Sequence, residues 1–324
     1  MTLEEIETFV RIATGAGFTQ TARQLARSQP AISRRIRQLE QSLDVPLFER
    51  VGRGVRLSNA GRAFLPHAEV ALAALRDGER AVRELSEKAA GPLSLRLAVV
   101  GTLADSHIVD VLRGLQSRFE GASVELRTAN SREVSDLVRR GEADLGLRYF
   151  PDPDPKLESI PLGSERLSVV VPAGHRVRAR RVRDMRPFDG DPWLGFPPDR
   201  RHPEASLERL LVAAGVSNPR ITPVDSLTAQ KRLVEAGLGI ALLPRSSFRE
   251  ELRLGSLRTI DVASLNAEQP VVVVRRRSGH HGPIAEAFLE LLERSSPELL
   301  SGRRVGPRAA KRRKRIRAAR RTNS

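Results

Sequence analysis

The sequence contains no cysteine, so disulfide bonds, thiolate metal ligands and cysteine nucleophiles are all excluded. It also has no apolar run near the roughly 18 residues that indicate a membrane span. The opening residues, MTLEEIETFV, lack both the basic start and the apolar stretch of an export signal. We therefore expect a cytoplasmic protein that makes no membrane contact.

Positive charge is abundant, but much of it lies near one end of the chain. Eleven of the 55 Lys and Arg residues fall in residues 301–324, which hold no Asp or Glu, so only +5 of the formal net charge of +16 belongs to the other 300 residues. A second concentration, residues 18–62, has nine arginines against three acidic residues. Because this stretch also has a foldable pattern, its charge favours nucleic acid as a partner.

The first sixty residues predict three helices. Apolar residues from Leu3 to Ala13 recur at helical spacing, and Gly15 and Gly17 then end the first helix. A second helix is expected at about 19–26. Ser28 is a good N-cap for a third helix at about 29–43. Two helices joined by a short turn predict a helix-turn-helix, whose second helix enters the major groove of DNA.

The third helix has one apolar side and one side rich in hydrogen-bond donors. Gln29, Ser33 and Arg37 are four residues apart and share a face, with Arg34 one step around it. Gln bonds adenine, Arg bonds guanine, and either contacts phosphate. A solvated surface charge is the alternative for each arginine alone, but the set favours DNA.

Residues 51–58 predict a small hairpin around Gly52 and Gly54, since glycine permits the positive φ of a tight turn. Such a hairpin beside a recognition helix is a wing. Arg53 at its tip would reach a phosphate or the minor groove.

These residues carry a specific family resemblance. It rests on Phe9, Gly17-Phe18-Thr19, Ala22, Leu25, Ser28-Gln29-Pro30-Ala31-Ile32-Ser33, Leu39-Glu40, Leu47-Phe48-Glu49-Arg50, Val55-Arg56-Leu57-Ser58 and Ala60-Gly61. The pattern resembles the N-terminal signature of LysR-type transcriptional regulators. The resemblance implies promoter DNA as partner, RNA polymerase as a further candidate partner, and a nucleoid-associated location.

By the same resemblance, the family's DNA-contacting positions are occupied here by Gln29, Pro30, Ser33, Arg34 and Arg53. Two departures are small: Gly17 stands where the family usually has Ser, and Ser58 where it usually has Thr.

A long helix is predicted from Asn59 to about residue 89. Its apolar seam steps alternately by four and three residues, which is typical of a helix that pairs with another. The seam consists of Phe64, Ala68, Ala71, Leu75, Gly78, Val82 and Leu85. The alternative is a helix lying on its own domain. The resemblance favours a dimer through this linker, and a tetramer built from such dimers.

Beyond residue 92, strand and helix patterns alternate twice over, which implies parallel sheet with helices on both faces. The resemblance adds a two-lobed α/β effector domain like that of periplasmic solute-binding proteins, with crossings near 161–165 and 263–270. The expected fold is thus an α-helical winged helix-turn-helix domain, a long linker helix and this two-lobed domain. The predicted limits are 1–58 for the DNA-binding domain, 59–90 for the linker, 91–298 for the effector domain (lobe I about 91–162 and 268–298, lobe II about 163–267) and 299–324 for a basic disordered tail.

Candidate effector contacts follow the strands, because ligands of open α/β sheets bind beyond the carboxyl ends of the strands. They are Thr102, Asn130, Ser131, Arg148, Phe196, Ser226 and Thr228. An ordinary helix cap is the alternative for each polar side chain of this set other than Arg148. Arg148 at the cleft mouth would favour a carboxylate as the small-molecule effector, and a solvated surface arginine is its alternative.

Nothing in the sequence predicts catalysis, a metal site or a cofactor. The six histidines lack metal-ligand spacing, and there is no phosphate-binding loop with lysine. Two competing hypotheses are a solute-binding receptor and an enzyme with an accessory DNA-binding segment. For the tail 301–324 we expect a sequence-independent grip on DNA phosphates, with an RNA contact or no role as alternatives.

Overall fold

The computed structural model describes residues 1–52, 54–85, 93–104, 106–198 and 206–295. Its helices are α1 (Leu3–Arg11), α2 (Gly17–Gln24), α3 (Gln29–Leu43), α4 (Asn59–Leu85), α5 (Ser106–Arg118), α6 (Ser131–Arg139), α7 (Leu207–Ala213), α8 (Leu227–Glu235), α9 (Arg249–Leu254) and α10 (Pro283–Ser295). Its strands are β1 (Phe48–Val51), β2 (Gly54–Leu57), β3 (Ser94–Val100), β4 (Ser123–Ala129), β5 (Leu145–Tyr149), β6 (Leu157–Pro172), β7 (Arg181–Val182), β8 (Pro192–Gly195), β9 (Arg220–Pro223), β10 (Ile240–Pro244), β11 (Leu257–Val262) and β12 (Glu268–Arg276). No helix in these ranges is long and apolar enough to cross a membrane.

The N-terminal unit is three helices and a hairpin around one core. Thr2 and Glu5 cap α1 reciprocally, and Ser28 caps α3 by accepting a hydrogen bond from the Ala31 amide at 3.4 Å. α2 begins at Gly17, two residues before the predicted start, because the chain turns at Gly15 with φ 108°. α3 has the predicted bounds.

The hairpin and α4 complete this unit. β1 and β2 pair antiparallel in the predicted wing. Gly61 in the first turn of α4 allows a close approach to the hairpin, because a Cβ there would lie 2.1 Å from the Leu47 carbonyl oxygen. The start of the long helix is therefore packed against the DNA-binding unit, with Ala68 and Leu72 in the shared core.

The rest of the chain folds into two lobes on one extended sheet with the order β4-β3-β5-β12-β6-β10-β8-β9, to which β11 and β7 are added beside β6. Lobe I has one apolar core on each face of β3, β5 and β12, and lobe II has the same around β6, β10 and β8. β6 passes from lobe I to lobe II without a break, since its first half pairs with β12 and its second half with β10.

The predicted parallel pairing forms part of the sheet in each lobe, and antiparallel strands complete it. β3, β4 and β5 are parallel in lobe I, as are β8, β9 and β10 in lobe II. β12 runs antiparallel to β5, and β6 runs antiparallel to β10. These two strands connect the lobes, and each follows the preceding strand without a helix, so no helical crossover brings them in parallel.

Candidate DNA-reading face and effector cleft

The polar side of α3 is presented to solvent by the burial of its other side. Ile32, Ile36 and Leu39 are at most 3% exposed in the N-terminal core. Gln29, Pro30, Arg34 and Arg37 are exposed, and Ser33 is half-buried. The structure thus brings the five predicted α3 residues to one accessible surface, which we call the α3 reading face.

The neighbouring arginines differ in what they contact. Arg35 forms an ion pair with Glu4 of α1 and helps to hold α3 in place. Arg56 is paired with Glu49 across the hairpin at 2.9 Å. Arg34 makes no ion pair with any described residue, which leaves its guanidinium available for DNA. The predicted tip residue Arg53 lies outside the described residues.

α4 has two faces of opposite character. The predicted seam is exposed at Ala71, Leu75, Gly78 and Val82, with Leu75 at 49% and Val82 at 67% exposure. The opposite side, with Glu69, Ala73 and Asp77, is buried. The helix therefore lies on its own chain through one face, and the seam that predicts pairing with another helix is on the opposite, exposed face.

Asp77 on the buried face joins α4 to lobe I. Its carboxylate accepts hydrogen bonds from Arg80, from Arg276 of β12 at 2.7 Å and from the His280 amide at 3.2 Å. Both Asp77 and Arg276 are nearly buried, with side-chain exposures of 12% and 11%. We call this group the Asp77 hub.

A second carboxylate extends the hub into the sheet. Asp144 accepts from Arg80 and, at 2.7 Å, from Arg96 of β3. Burial, together with the neighbouring charges of Arg80, Arg276 and Arg76, lowers the pKa of Arg96 to about 10. Buried charges cost free energy unless they are paired. The contact between α4 and lobe I is therefore favourable in the one geometry that pairs these charges.

A chain of hydrogen bonds connects the two lobes. Thr102, in a 3-10 turn after β3, is 2.9 Å from the Tyr149 hydroxyl. Tyr149 donates to Glu165 of β6 at 2.6 Å, and Ser246 of lobe II donates to the other Glu165 oxygen at 2.6 Å. We call these four residues the interlobe chain. Only Thr102 among them was predicted.

Arg148 is not at a cleft mouth. Its side chain has no exposed area and forms an ion pair with the equally buried Asp152. It also donates to the Ser135 hydroxyl at 2.6 Å. Burial acts to raise the pKa of Asp152, but hydrogen bonds from the Asp154 amide and Ser135 and the charge of Arg148 leave it below its ordinary value. The prediction of an open cation here is therefore wrong.

The other predicted effector residues are scattered along the strand ends. The Asn130 side chain caps α6 by accepting from the Glu133 amide at 3.0 Å, and Ser226 caps α8 by accepting from the Ala229 amide at 3.3 Å. Ser131 is half-buried, while Thr228 is exposed and Phe196 is 40% exposed. Asn130 and Ser226 therefore serve as helix caps at the ends of two different strands.

The alternation of side chains between the two faces of a strand is the signal that would have identified Tyr149, in place of Arg148, as the residue near Thr102. Successive side chains of a strand point to opposite faces, so Tyr149 and Arg148 cannot share a surface. Tyr149 lies in the main lobe I core near Thr102, whereas Arg148 lies under α6 beside Ser135. In the described part of the chain, no group of three or more His, Asp or Glu residues is placed to hold a metal ion.

Comparison with known proteins covers nearly the whole chain. The family model "LysR substrate binding domain" matches residues 90–296, and the model "Bacterial regulatory helix-turn-helix protein, lysR family" matches residues 3–62. The chain is 30% identical over 295 residues to the HTH-type transcriptional regulator CbbR of Rhodospirillum rubrum, covering 90% of this chain and 95% of that protein.

Two solved structures show the same fold. Full-length OxyR C199D from Pseudomonas aeruginosa matches with a TM-score of 0.63 and 22% identity, over 91% of this chain and 94% of that one. Full-length CbnR in complex with its target DNA matches with a TM-score of 0.60 and 24% identity, over 91% of this chain and all of that one (100%).

Proposed function

The chain belongs to the LysR-type family of transcriptional regulators, and we propose that it recognises its promoter through the α3 reading face as a dimer paired along α4. Membership makes it a DNA-binding regulator with an effector-binding domain and not an enzyme. The residues that contact DNA, the oligomer and the effector are our proposal. The observation that carries it is the exposure of Gln29 and Arg34, with Ser33 half-buried beside them, on a helix whose apolar side is buried in the N-terminal core.

We assign base contacts to Gln29, Ser33 and Arg34, since the N-terminal residues of a recognition helix lie closest to the base edges. Pro30 and Arg37 would contact the sugar–phosphate backbone beside them. Arg53 keeps its proposed role at the wing tip. Two such faces on a dimer would read two half-sites whose symmetry matches that of the protein, and a tetramer of two dimers would read two such pairs.

The exposed seam of α4 supports the proposed dimer. Ala71, Leu75, Gly78 and Val82 form an apolar stripe opposite the Asp77 hub. Because the hub holds lobe I on one side of α4, the other side is left for a second copy. A change in the effector domain would then alter the angle between the paired reading faces.

The interlobe chain marks where we place the effector. Thr102, Tyr149 and Ser246 present hydroxyl groups at the junction of the lobes, and Glu165 joins them. A ligand shifts the protein only by binding one lobe arrangement better than another, and a ligand that replaces these bonds meets that condition. The expected carboxylate effector loses the Arg148 cation on which it was based.

Asn130, Ser131, Phe196, Ser226 and Thr228 stay as proposed flanking contacts at the strand ends. RNA polymerase stays a proposed partner. A cytoplasmic, nucleoid-associated location also stays part of the proposal, since promoter binding implies both. We keep the domain division at residues 58, 90 and 298 as part of the same proposal.

The seam is tested with Leu75→Glu combined with Val82→Glu, both at exposed positions. We expect the full-length variant to sediment as a monomer and to lose affinity for an operator with two half-sites. The matched control is Val212→Glu with Leu254→Glu, which are 55% and 70% exposed on lobe II and lie outside the seam. An unchanged oligomer in the seam variant would contradict the proposed pairing.

A further inference from the structure

Lobe II carries a dense group of arginines that the proposed function does not use. Residues 176–186 hold six arginines and one acidic residue. Arg176 is paired with Asp191 at 3.0 Å and Arg186 with Asp184 at 2.7 Å. The remaining four form a set that we call the lobe II arginine edge: Arg178, Arg180, Arg181 and Arg183.

The backbone of this stretch is held firmly in place. β7 is the edge strand of the lobe II sheet and pairs with β11. The Asp261 amide donates to the Arg180 carbonyl at 3.0 Å, and the Ser264 amide donates to the Arg183 carbonyl at 3.1 Å. Val182 packs on the lobe II core, so Arg181 and Arg183 on either side of it in the chain are directed outward.

The four arginines of this edge form no ion pair with a described residue, although Arg183 lies within electrostatic reach of Asp184. All four arginines are exposed, and none is paired with a carboxylate in the part of the chain that the structure describes. Arg178 donates a hydrogen bond to the backbone carbonyl of Ala173 at 3.2 Å. Four guanidinium groups within six residues repel one another unless an anionic partner is present.

We propose that the lobe II arginine edge binds the phosphate backbone of duplex DNA, in addition to the DNA held by α3. Charge complementarity between these unpaired arginines and the DNA phosphates supports the proposal. The planar guanidinium fork of an arginine matches the oxygens of a phosphate group. DNA is already the partner of this family, so no new class of molecule has to be present.

The dimensions of the edge agree with a DNA strand. Only Arg181–Val182 of residues 178–183 form a strand, so the stretch spans at most about 20 Å, whereas phosphates of one DNA strand follow each other at about 3.4 Å along the helix axis. Long arginine side chains on a stretch of this size can therefore reach several phosphates of one DNA strand. Such contacts carry no base information, so they would add affinity without changing the preferred sequence.

The test uses the full chain with four substitutions, Arg178→Gln, Arg180→Gln, Arg181→Gln and Arg183→Gln. Affinity for a duplex of scrambled sequence is measured over a series of salt concentrations. We expect the slope of log K against log[salt] to become shallower by about 0.9 for each phosphate lost, and by at most about 3.6 for four. Preference for the operator over scrambled DNA is unchanged, which separates this result from a failure of the α3 reading face.

The matched control removes the same charge elsewhere, with Arg113→Gln, Arg209→Gln, Arg232→Gln and Arg253→Gln, all at exposed positions. A slope equal to that of the control would overturn the proposal, because net charge alone would explain it. The proposal would also be overturned if the four substitutions in the arginine edge reduced binding to single-stranded RNA but left binding to duplex DNA unchanged.

Charged side chains on an edge strand also prevent pairing with a second chain. Self-association of the edge variant, seen by sedimentation without DNA and with an unchanged salt slope, would therefore give the arginines that protective role and overturn the DNA proposal. Equal melting temperatures of the variant and the wild type establish that the fold is intact.

Discussion

Replacing Asp77 by alanine removes the carboxylate that joins α4 to lobe I. The change leaves the Arg276 guanidinium and the His280 amide without the acceptor that they share at 2.7 and 3.2 Å. Arg80 keeps Asp144, and Arg276 keeps the Val138 carbonyl at 2.6 Å. Because these partners remain, we expect a loss of about 2 kcal/mol, at the lower end of what breaking a buried charged contact costs.

The assay is native-state amide hydrogen exchange of the full chain. A local loss of about 2 kcal/mol corresponds to exchange roughly 30-fold faster in the segment that contains His280 and on the lobe-facing side of α4. Asp77→Asn keeps an acceptor without the charge, and it should show a smaller increase at the same sites.

The matched control is Asp110→Ala. Asp110 is paired with Arg113 at 3.1 Å, but the two side chains are 65% and 74% exposed. Solvated pairs of this kind contribute little, so exchange should stay at the wild-type rate. If Asp77→Ala exchanged as slowly as this control, the hub would not hold α4 on lobe I, and the coupling that we base on it would fail.

Two further predictions concern pH and salt. Burial raises the pKa of Glu69 above 4.5 in the folded chain. The stability that protonated Glu69 gives the folded chain is therefore fully present below pH 4.5, and it is lost as the pH rises through the folded pKa. Glu69→Gln should melt higher than wild type at neutral pH and equally near pH 4, and a pH-independent difference would refute this. Deleting residues 301–324 should make the salt slope of operator binding shallower without changing the preferred sequence; an unchanged slope would refute the phosphate grip.

The helix boundaries that the sequence predicted best have strong local signals. α3 has a capping serine, an early proline and four apolar residues at helical spacing, and its bounds are as predicted. The start of α2 differs because the sequence shows that glycines interrupt the helix, but not which of them carries the turn. β7 and α9 were not predicted, since a two-residue strand and a six-residue helix are too short for a period to show.

The contacts that the sequence could not predict are those between distant residues. Arg276 meets Asp77 across 199 positions of the chain, and Ser246 meets Glu165 across 81. Arg148 was expected to be exposed, because an arginine is seldom fully buried. Its burial depends on Asp152 and Ser135, which only the folded lobe brings beside it.

The central claim is that the α3 reading face recognises promoter DNA, and the ratio of affinities for operator and scrambled DNA tests it most directly. The operator is the sequence that the wild-type protein selects from random DNA. The test variant is Gln29→Ala with Arg34→Ala, and the control is Gln38→Ala with Gln41→Ala, exposed residues in the C-terminal half of the same helix. Two lost base contacts of about 1 to 3 kcal/mol each should lower the ratio at least about 30-fold. The control and the oligomeric state should be unchanged, whereas a test variant that kept the wild-type ratio would contradict the account.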